Sequence, residues 1–211
     1  GDAYKYLMEC EEKFDVIIMD ISDPIEAGPG IMLYTKEFYT HCTKLLNSNG
    51  VFVTQAGVAE SIPPPHAIEG EADTSCYGPI LNTLKTVFDC AVPYATNIPS
   101  FGSDWGFVMA FNMPPSATTS EEKEIDSWVN ISPSVLDGMI EQQISSDIIE
   151  DAENGNNNND KGSSSNSSSS DVLKFYDGES HRHVFALSKP LRNALKKDDR
   201  IMTKENPIFM Y

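Results

Sequence analysis

Two carboxylates three residues apart, Asp20 and Asp23, form the densest polar cluster of the chain, in Asp20-Ile21-Ser22-Asp23-Pro24. Such a pair can divide two tasks: one carboxylate takes a proton, while the ionised neighbour holds a cation. The same residues also suit a purely structural role, Asp20 closing a strand end and Asp23 making an Asx turn before Pro24. Gln55, followed by Ala56-Gly57, ends a second apolar run. Its amide can accept from an ammonium, or it can be an ordinary polar strand end. Between Pro99 and Trp105, Phe101 and Trp105 lie beside Asp104. Aromatic rings next to acids can cradle an alkyl-ammonium chain, by cation–π contact and by packing of its methylenes. They equally suit a turn whose rings belong to the core. Asp2 and Ala3 precede a helix-like stretch, Tyr4 to Glu12. An acid there can accept from an adenine amino group or cap the helix.

The elements around these residues follow from hydrophobic patterning. Phe14 to Asp20 is a short β-branched run that reads as a buried parallel strand. Leu33 to Leu46 carries Leu33, Phe38, Cys42, Leu45 and Leu46 near helical spacing, and Asn49-Gly50 reads as its end. Val51 to Gln55 is a second buried strand. Tyr77 to Phe88 is a helix with Ile80, Leu81, Leu84, Val87 and Phe88 on one face, and Ala91 to Ile98 and Trp105 to Phe111 are two further strands. Strand, helix, strand, helix, strand, strand is the order of an open α/β sheet. Ligands of such sheets bind beyond the C-terminal strand ends. Asp20, Gln55 and the Pro99–Asp104 loop all fall there, so one crevice can collect them.

Composition bounds the rest. The 211 residues suffice for one ordinary domain and a tail, and no apolar run reaches the length of a membrane span. No basic segment followed by an apolar stretch opens the chain, so no signal peptide is expected. Cys10, Cys42, Cys76 and Cys90 are scattered, as in a reduced intracellular protein, and they do not fall at ligand spacing with His41, His66, His181 and His183. The pair His181-x-His183 alone is too short for a metal motif, so no metal is expected. The net charge of −17, from 32 acidic and 15 basic residues, argues against binding nucleic-acid phosphates and suits a cationic substrate. Much of that charge lies between 118 and 171, where acids dominate and Asn154 to Ser170 is almost entirely Asn, Ser and Gly. This segment reads as a disordered insertion that serves solubility. Order-promoting residues return between Val172 and Leu195.

These segments, in this order, resemble the polyamine aminopropyltransferases. Gly1-Asp2-Ala3 with Tyr6-Leu7 is similar to the segment whose acid binds the adenine amino group. Phe14-Asp15-Val16-Ile17-Ile18-Met19-Asp20-Ile21-Ser22-Asp23-Pro24 is similar to the family signature, and Leu33 to Tyr39, Asn49 to Gly57, Ile98 to Phe101 with Trp105 to Met109, and Leu173 to Pro190 follow in register. The resemblance covers nearly the whole chain outside the Asn/Ser tract. It implies a Rossmann-like methyltransferase-type fold, with an open, mostly parallel sheet and an antiparallel last strand. It further implies aminopropyl transfer from decarboxylated S-adenosylmethionine to an amine, with methylthioadenosine leaving. In that scheme Asp20 is the proton acceptor and also borders the cofactor site with Asp2 and Ala3. Asp23, Gln55, Phe101 and Trp105 contact the amine. No metal or redox cofactor is required, and decarboxylated S-adenosylmethionine is a co-substrate. The family is typically dimeric or larger, and its substrates place it in the cytosol.

Within the family, Ile98-Pro99-Ser100-Phe101, lacking the tyrosine usual in spermidine synthases, resembles the thermospermine synthases, with spermidine synthase as the alternative. The resemblance assigns residues 1–117 to the C-terminal part of the catalytic domain, 118–171 to the insertion and 172–211 to its C-terminal tail. The family's Gly-rich loop, a donor-binding Asp, a ribose-binding Glu and a small β-domain are expected upstream of Gly1, so the 211 residues alone are expected to be inactive. Val58 to Thr74 is longer than the family requires. An ordinary S-adenosylmethionine methyltransferase and an inactive paralogue paired with an active subunit are the competing classes.

Overall fold

The computed structural model describes residues 2–26, 28, 30–60, 75–113, 128–153 and 173–209, with 145–153 described by backbone only. The chain divides into two compact units, Gly1–Thr119 with Leu187–Tyr211, and Ser120–Ala186. The first unit contains helix α1 (Ala3–Glu9), strand β1 (Phe14–Met19), a 3-10 turn (Ile31–Tyr34), helix α2 (Lys36–Leu45), strand β2 (Leu46–Val58), helix α3 (Tyr77–Lys85), and strands β3 (Cys90–Ile98) and β4 (Ser103–Asn112). Helices α4 (Pro133–Glu153) and α5 (Gly178–Phe185) belong to the second unit, and α6 (Lys189–Lys197) to the first.

The sheet order is β1-β2-β4-β3. β1 and β2 are parallel, and β4 runs antiparallel to both β2 and β3. Three strands therefore share one direction and the last strand opposes them, so the sheet is mostly parallel with an antiparallel last strand. The C-terminal ends of β1, β2 and β3 and the start of β4 lie along one edge. Pro93 is accommodated because β3 is an outer strand, where a missing N–H need not leave a ladder partner empty. β1 is also an outer strand, with Val16 and Ile18 exposed by 52% and 73%. The run read as a buried strand is parallel as expected but open. Among the described residues it has a neighbour on one side only, so its alternate side chains meet solvent.

The core is aromatic at its centre. Tyr39 meets Phe52 edge-on at 5.4 Å, and Phe52 stacks on Phe88 at 5.7 Å. Thr35 caps α2 by accepting from the Phe38 amide, which turns Phe38, Tyr39, Cys42 and Leu45 inward. Asn49-Gly50, read as a helix end, instead lies inside β2. There Asn49 adopts φ 64° and the β1–β2 register shifts between Phe14 and Val16. An irregularity next to a positive-φ Asn can be absorbed within a strand, so the turn signal misplaced the boundary. The last residues strap this unit together. The Met202 amide donates to Thr83 Oγ1 at 2.8 Å, the Lys36 amide to Met202 O at 2.9 Å, and Asn82 Nδ2 to Asp198 O at 2.7 Å.

In the second unit, Asp177 caps α5 through the Ser180 amide, and the Gly178 amide donates to Asp137 Oδ1 on α4. The two ring nitrogens of His181 engage Tyr176 Oη at 2.6 Å and Trp128 O at 3.0 Å. This histidine is thus held structurally. Helix α4 corrects the expectation of disorder across 118–171. That expectation averaged composition over a segment whose polar tract begins only at Asn154. Pro133, in the first helical turn, together with Leu136 and Ile140 at helical spacing, supports a helix ahead of the tract. Residues 154–172 lie outside the described residues, as do 61–74 of the long segment after β2. The stretch assigned to one C-terminal tail is shared, with Leu187–Tyr211 in the first unit and the residues before it in the second.

Two consequences for stability follow. Tyr39 is fully buried, and its hydroxyl has no hydrogen-bond partner among the described residues. An unpaired buried hydroxyl costs free energy that a phenyl ring does not. Tyr39→Phe is therefore expected to melt at or above the wild-type temperature, and a fall of several degrees would contradict the packing described. Burial also pushes the Cys42 thiol from its ordinary 9.0 up to about 12. The folded state then keeps a proton that the unfolded chain releases above pH 9. Its stabilising contribution is intact below pH 9 and is lost progressively as pH climbs toward 12, at about 1.4 kcal/mol per unit. Buried Tyr77, Tyr34 and Tyr39, all shifted upward chiefly by desolvation, act in the same direction. Denaturant midpoints between pH 8 and 11 should fall steadily, with the onset near pH 9.

Candidate active site

Register brings the predicted residues to one place. Met19 of β1 pairs with Thr54 of β2, so the next residues, Asp20 and Gln55, leave the ladder side by side. Opposite β4, Gln55 pairs with Phe107 and Val58 with Trp105, which puts one extra residue on β2. This bulge contains Gly57 at φ 78°, a conformation that favours glycine. It turns the Gly57 amide onto Gln55 Oε1 at 2.8 Å. The β3–β4 loop, closed by the Phe101 and Gly102 amides on Ile98 O, lies at the same edge and carries Phe101. The Phe101 ring sits 4.6 Å from that of Trp105, and Phe101 is 59% exposed.

Gln55 is the hub of the arrangement and is nearly fully buried. Trp105 Nε1 donates to Gln55 Oε1 at 3.0 Å. With the Gly57 amide, this gives both lone pairs of that oxygen a donor. On the other side Gln55 Nε2 faces Asp23 Oδ1 at 2.9 Å, Ile21 O at 3.0 Å and Tyr34 Oη at 2.7 Å. The amide orientation is fixed by these neighbours, because the reverse would face oxygen with carboxylate and carbonyl. The expectation placed Gln55 against the amine. Its acceptor capacity is instead filled from within the chain, and its donors hold Asp23. Asp23 receives its side-chain hydrogen bond from Gln55, while its carbonyl accepts from the Ile25 amide in a tight turn around buried Pro24.

Asp20 differs from Asp23 in being exposed, with no hydrogen bond or ion pair among the described residues. A carboxylate at a strand end without a partner is available to take a proton. Asp104 is turned to the side, accepting from Asn97 Nδ2 at 3.2 Å. Asp2 caps α1, its Oδ1 accepting from the Lys5 amide at 3.1 Å, which matches its structural reading. It also lines, with Ala3, Tyr4, Ile21, Ser22, Gly30, Met32 and Leu33, a cavity of about 560 Å³. That volume lies within the range of small-ligand pockets. The cavity wall includes Ile21 and Ser22, the two residues between the paired acids. Among the described residues no three of His, Cys, Asp and Glu converge as metal ligands.

Tyr34 was missed as a site residue. The helical spacing from Leu33 places it at a helix start, whereas the 3-10 turn before the Thr35 cap directs it inward. It is completely buried, donates to Ser22 O at 3.1 Å and accepts from Gln55. Burial foremost, joined by the nearby charge of Asp23 and only partly offset by the Gln55 hydrogen bond, pushes its hydroxyl well above the usual range, so it stays protonated. The one available signal was an amphipathic ring four residues after a Gly-Pro-Gly loop.

A family model described as spermine/spermidine synthase domain matches residues 1–121. The chain is 31% identical over 208 residues to a polyamine aminopropyltransferase of Sulfolobus acidocaldarius, covering 99% of this chain and 53% of that protein. It is 31% identical over 211 residues to thermospermine synthase ACAULIS5 of Arabidopsis thaliana, covering 100% and 48%. The fold is similar to a spermidine synthase solved with the transition state analogue AdoDATO, at TM-score 0.55 and 20% identity, covering 94% of this chain and 50% of that one. Spermidine synthase from Thermotoga maritima gives TM-score 0.51 at 20% identity, over 92% and 48%. The chain spans about half the length of the curated relatives it matches.

Proposed function

The chain belongs to the spermine/spermidine synthase domain family, and from that premise we propose that the protein carrying it transfers the aminopropyl group of decarboxylated S-adenosylmethionine to spermidine. The products are thermospermine and methylthioadenosine. The observation that carries this reading is the contrast between the two acids: Asp20 has no partner among the described residues, and Asp23 is fixed by Gln55. A terminal ammonium has no lone pair, so Asp20 first takes its proton. The freed amine nitrogen attacks the methylene beside the sulfonium. The new N–C bond forms as the C–S bond breaks, its electron pair goes to sulfur, and neutral methylthioadenosine leaves. The product nitrogen carries the positive charge.

Asp23 holds a second ammonium of the acceptor, and the Phe101–Trp105 pair packs against its methylenes. The cavity beside Ile21 and Ser22, with Asp2 and Ala3 in its wall, takes the adenosyl part of the donor. Correct placement of the nitrogen against the methylene supplies much of the rate, since the sulfonium is already a good leaving group. No metal or redox cofactor enters the scheme. The protein assembles as a homodimer or larger and acts in the cytosol.

Two features support spermidine as acceptor: Phe101 in place of a tyrosine, and the colinear similarity to a thermospermine synthase. Without a hydroxyl at this position the exposed ring offers packing rather than a polar grip, which suits a longer chain. Extension at the aminopropyl end of spermidine gives thermospermine, and at the aminobutyl end gives spermine. Incubation of the full-length protein with the donor and either spermidine or putrescine, with separation of the two tetraamines, decides the matter. Thermospermine is the expected product. Spermine would keep spermidine as the acceptor but reject attack at its aminopropyl end, and spermidine made from putrescine would reject the acceptor assignment.

A further inference from the structure

We infer that Tyr34 is a positioning residue for the acceptor, one that ties the Asp20–Asp23 loop to β2 and so sets where Asp23 points; this rests on the aminopropyl-transfer reading above. The loop leaves β1 with no ladder of its own, so something must fix it. Among the described residues three side-chain bonds do so, and all converge on the Tyr34 hydroxyl or on the Gln55 amide that touches it. Tyr34 has one proton, which goes to Ser22 O, because the Gln55 nitrogen can only donate. Its oxygen then accepts from Gln55 Nε2, which also serves Asp23 Oδ1 and Ile21 O. The two amide hydrogens are shared by three acceptors, so the Tyr34 oxygen limits how far the amide can swing. On the far side, Trp105 and Gly57 anchor the Gln55 oxygen.

Removal of the hydroxyl leaves Ser22 O without its buried donor and releases the amide from one of its contacts. The upward shift of the Tyr34 hydroxyl keeps this lock closed at any pH where the amine reacts. A matched control exists in Tyr77, equally buried, whose hydroxyl bonds Tyr94 O at 2.7 Å and Phe107 O at 3.2 Å and, among the described residues, makes no hydrogen bond to the loop.

The test uses the full-length protein with Tyr34→Phe and Tyr77→Phe, assayed below both melting temperatures with spermidine varied at saturating donor. Tyr34→Phe should raise the KM for spermidine roughly five- to tenfold, the loss of one buried network bond. Tyr77→Phe should leave that KM unchanged even if it melts earlier. A folding defect alone lowers kcat through fewer active molecules and leaves KM in place, so an unchanged KM in Tyr34→Phe overturns the inference. A KM raised equally in both variants overturns it as well. Absence of product from the wild-type protein would instead overturn the aminopropyl-transfer reading, and the inference with it.

Discussion

Replacing Asp20 by Asn should lower aminopropyl transfer roughly 1,000-fold, the scale on which removal of a positioned general base is felt. The substitution keeps the shape of the side chain and removes its basicity. Asp20 is exposed and has no hydrogen bond or ion pair to other described residues, so the fold has little to lose. The melting temperature should therefore stay within a degree or two of wild type, and the KM for the donor should move little. The loss should appear in kcat. Steady-state assay of methylthioadenosine release alongside thermal denaturation separates these outcomes. A variant that keeps wild-type turnover would mean that another group takes the ammonium proton.

A marked loss of stability is expected at Gly106. It pairs with Ala95 across the β3–β4 ladder, and an added Cβ would lie 2.8 Å from Tyr77 Cε1 and 2.9 Å from Cδ1. The Tyr77 ring cannot retreat, because its hydroxyl is held by Tyr94 O and Phe107 O and the residue is 1% exposed. Forcing a methyl into such a contact costs about 1–3 kcal/mol. Gly102→Ala offers the comparison. Gly102 has φ 69° but no atom within 4 Å of an added Cβ, so only the left-handed backbone is penalised, by about 1 kcal/mol. Urea midpoints should rank Gly106→Ala below Gly102→Ala. Because Gly106 follows Trp105, the strain should also disturb the indole bond to Gln55. The reverse ranking would mean that the Tyr77 ring is free to move.

Sequence and structure agree where local pattern is sufficient. The β-branched run ending in Asp20, the helices at Lys36 and Tyr77, and the last two strands each carry a period or a cap that points to the element. The order of those elements was enough to place Asp20, Gln55 and the Phe101 loop on one edge. What could not be read depends on register. The bond from Trp105 to Gln55 spans 50 residues and exists because a bulge at Gly57 offsets β2 against β4. A single sequence shows the glycine but not the offset. Tyr34 was hidden for the same reason, since its partners Ser22 and Gln55 lie 12 and 21 residues away. That β1 has a neighbour on one side only among the described residues was illegible, because an apolar run does not reveal how many neighbours it has. Helix α4 was hidden by averaging a polar tract together with the helix before it.

The most direct test of the central claim is the identity of the group transferred. The full-length protein, given spermidine with either decarboxylated S-adenosylmethionine or S-adenosylmethionine itself, should release methylthioadenosine and a lengthened polyamine from the first donor only. A methylated product with S-adenosylhomocysteine from the second donor, and nothing from the first, would contradict the assignment of Asp20 and Asp23 to aminopropyl transfer.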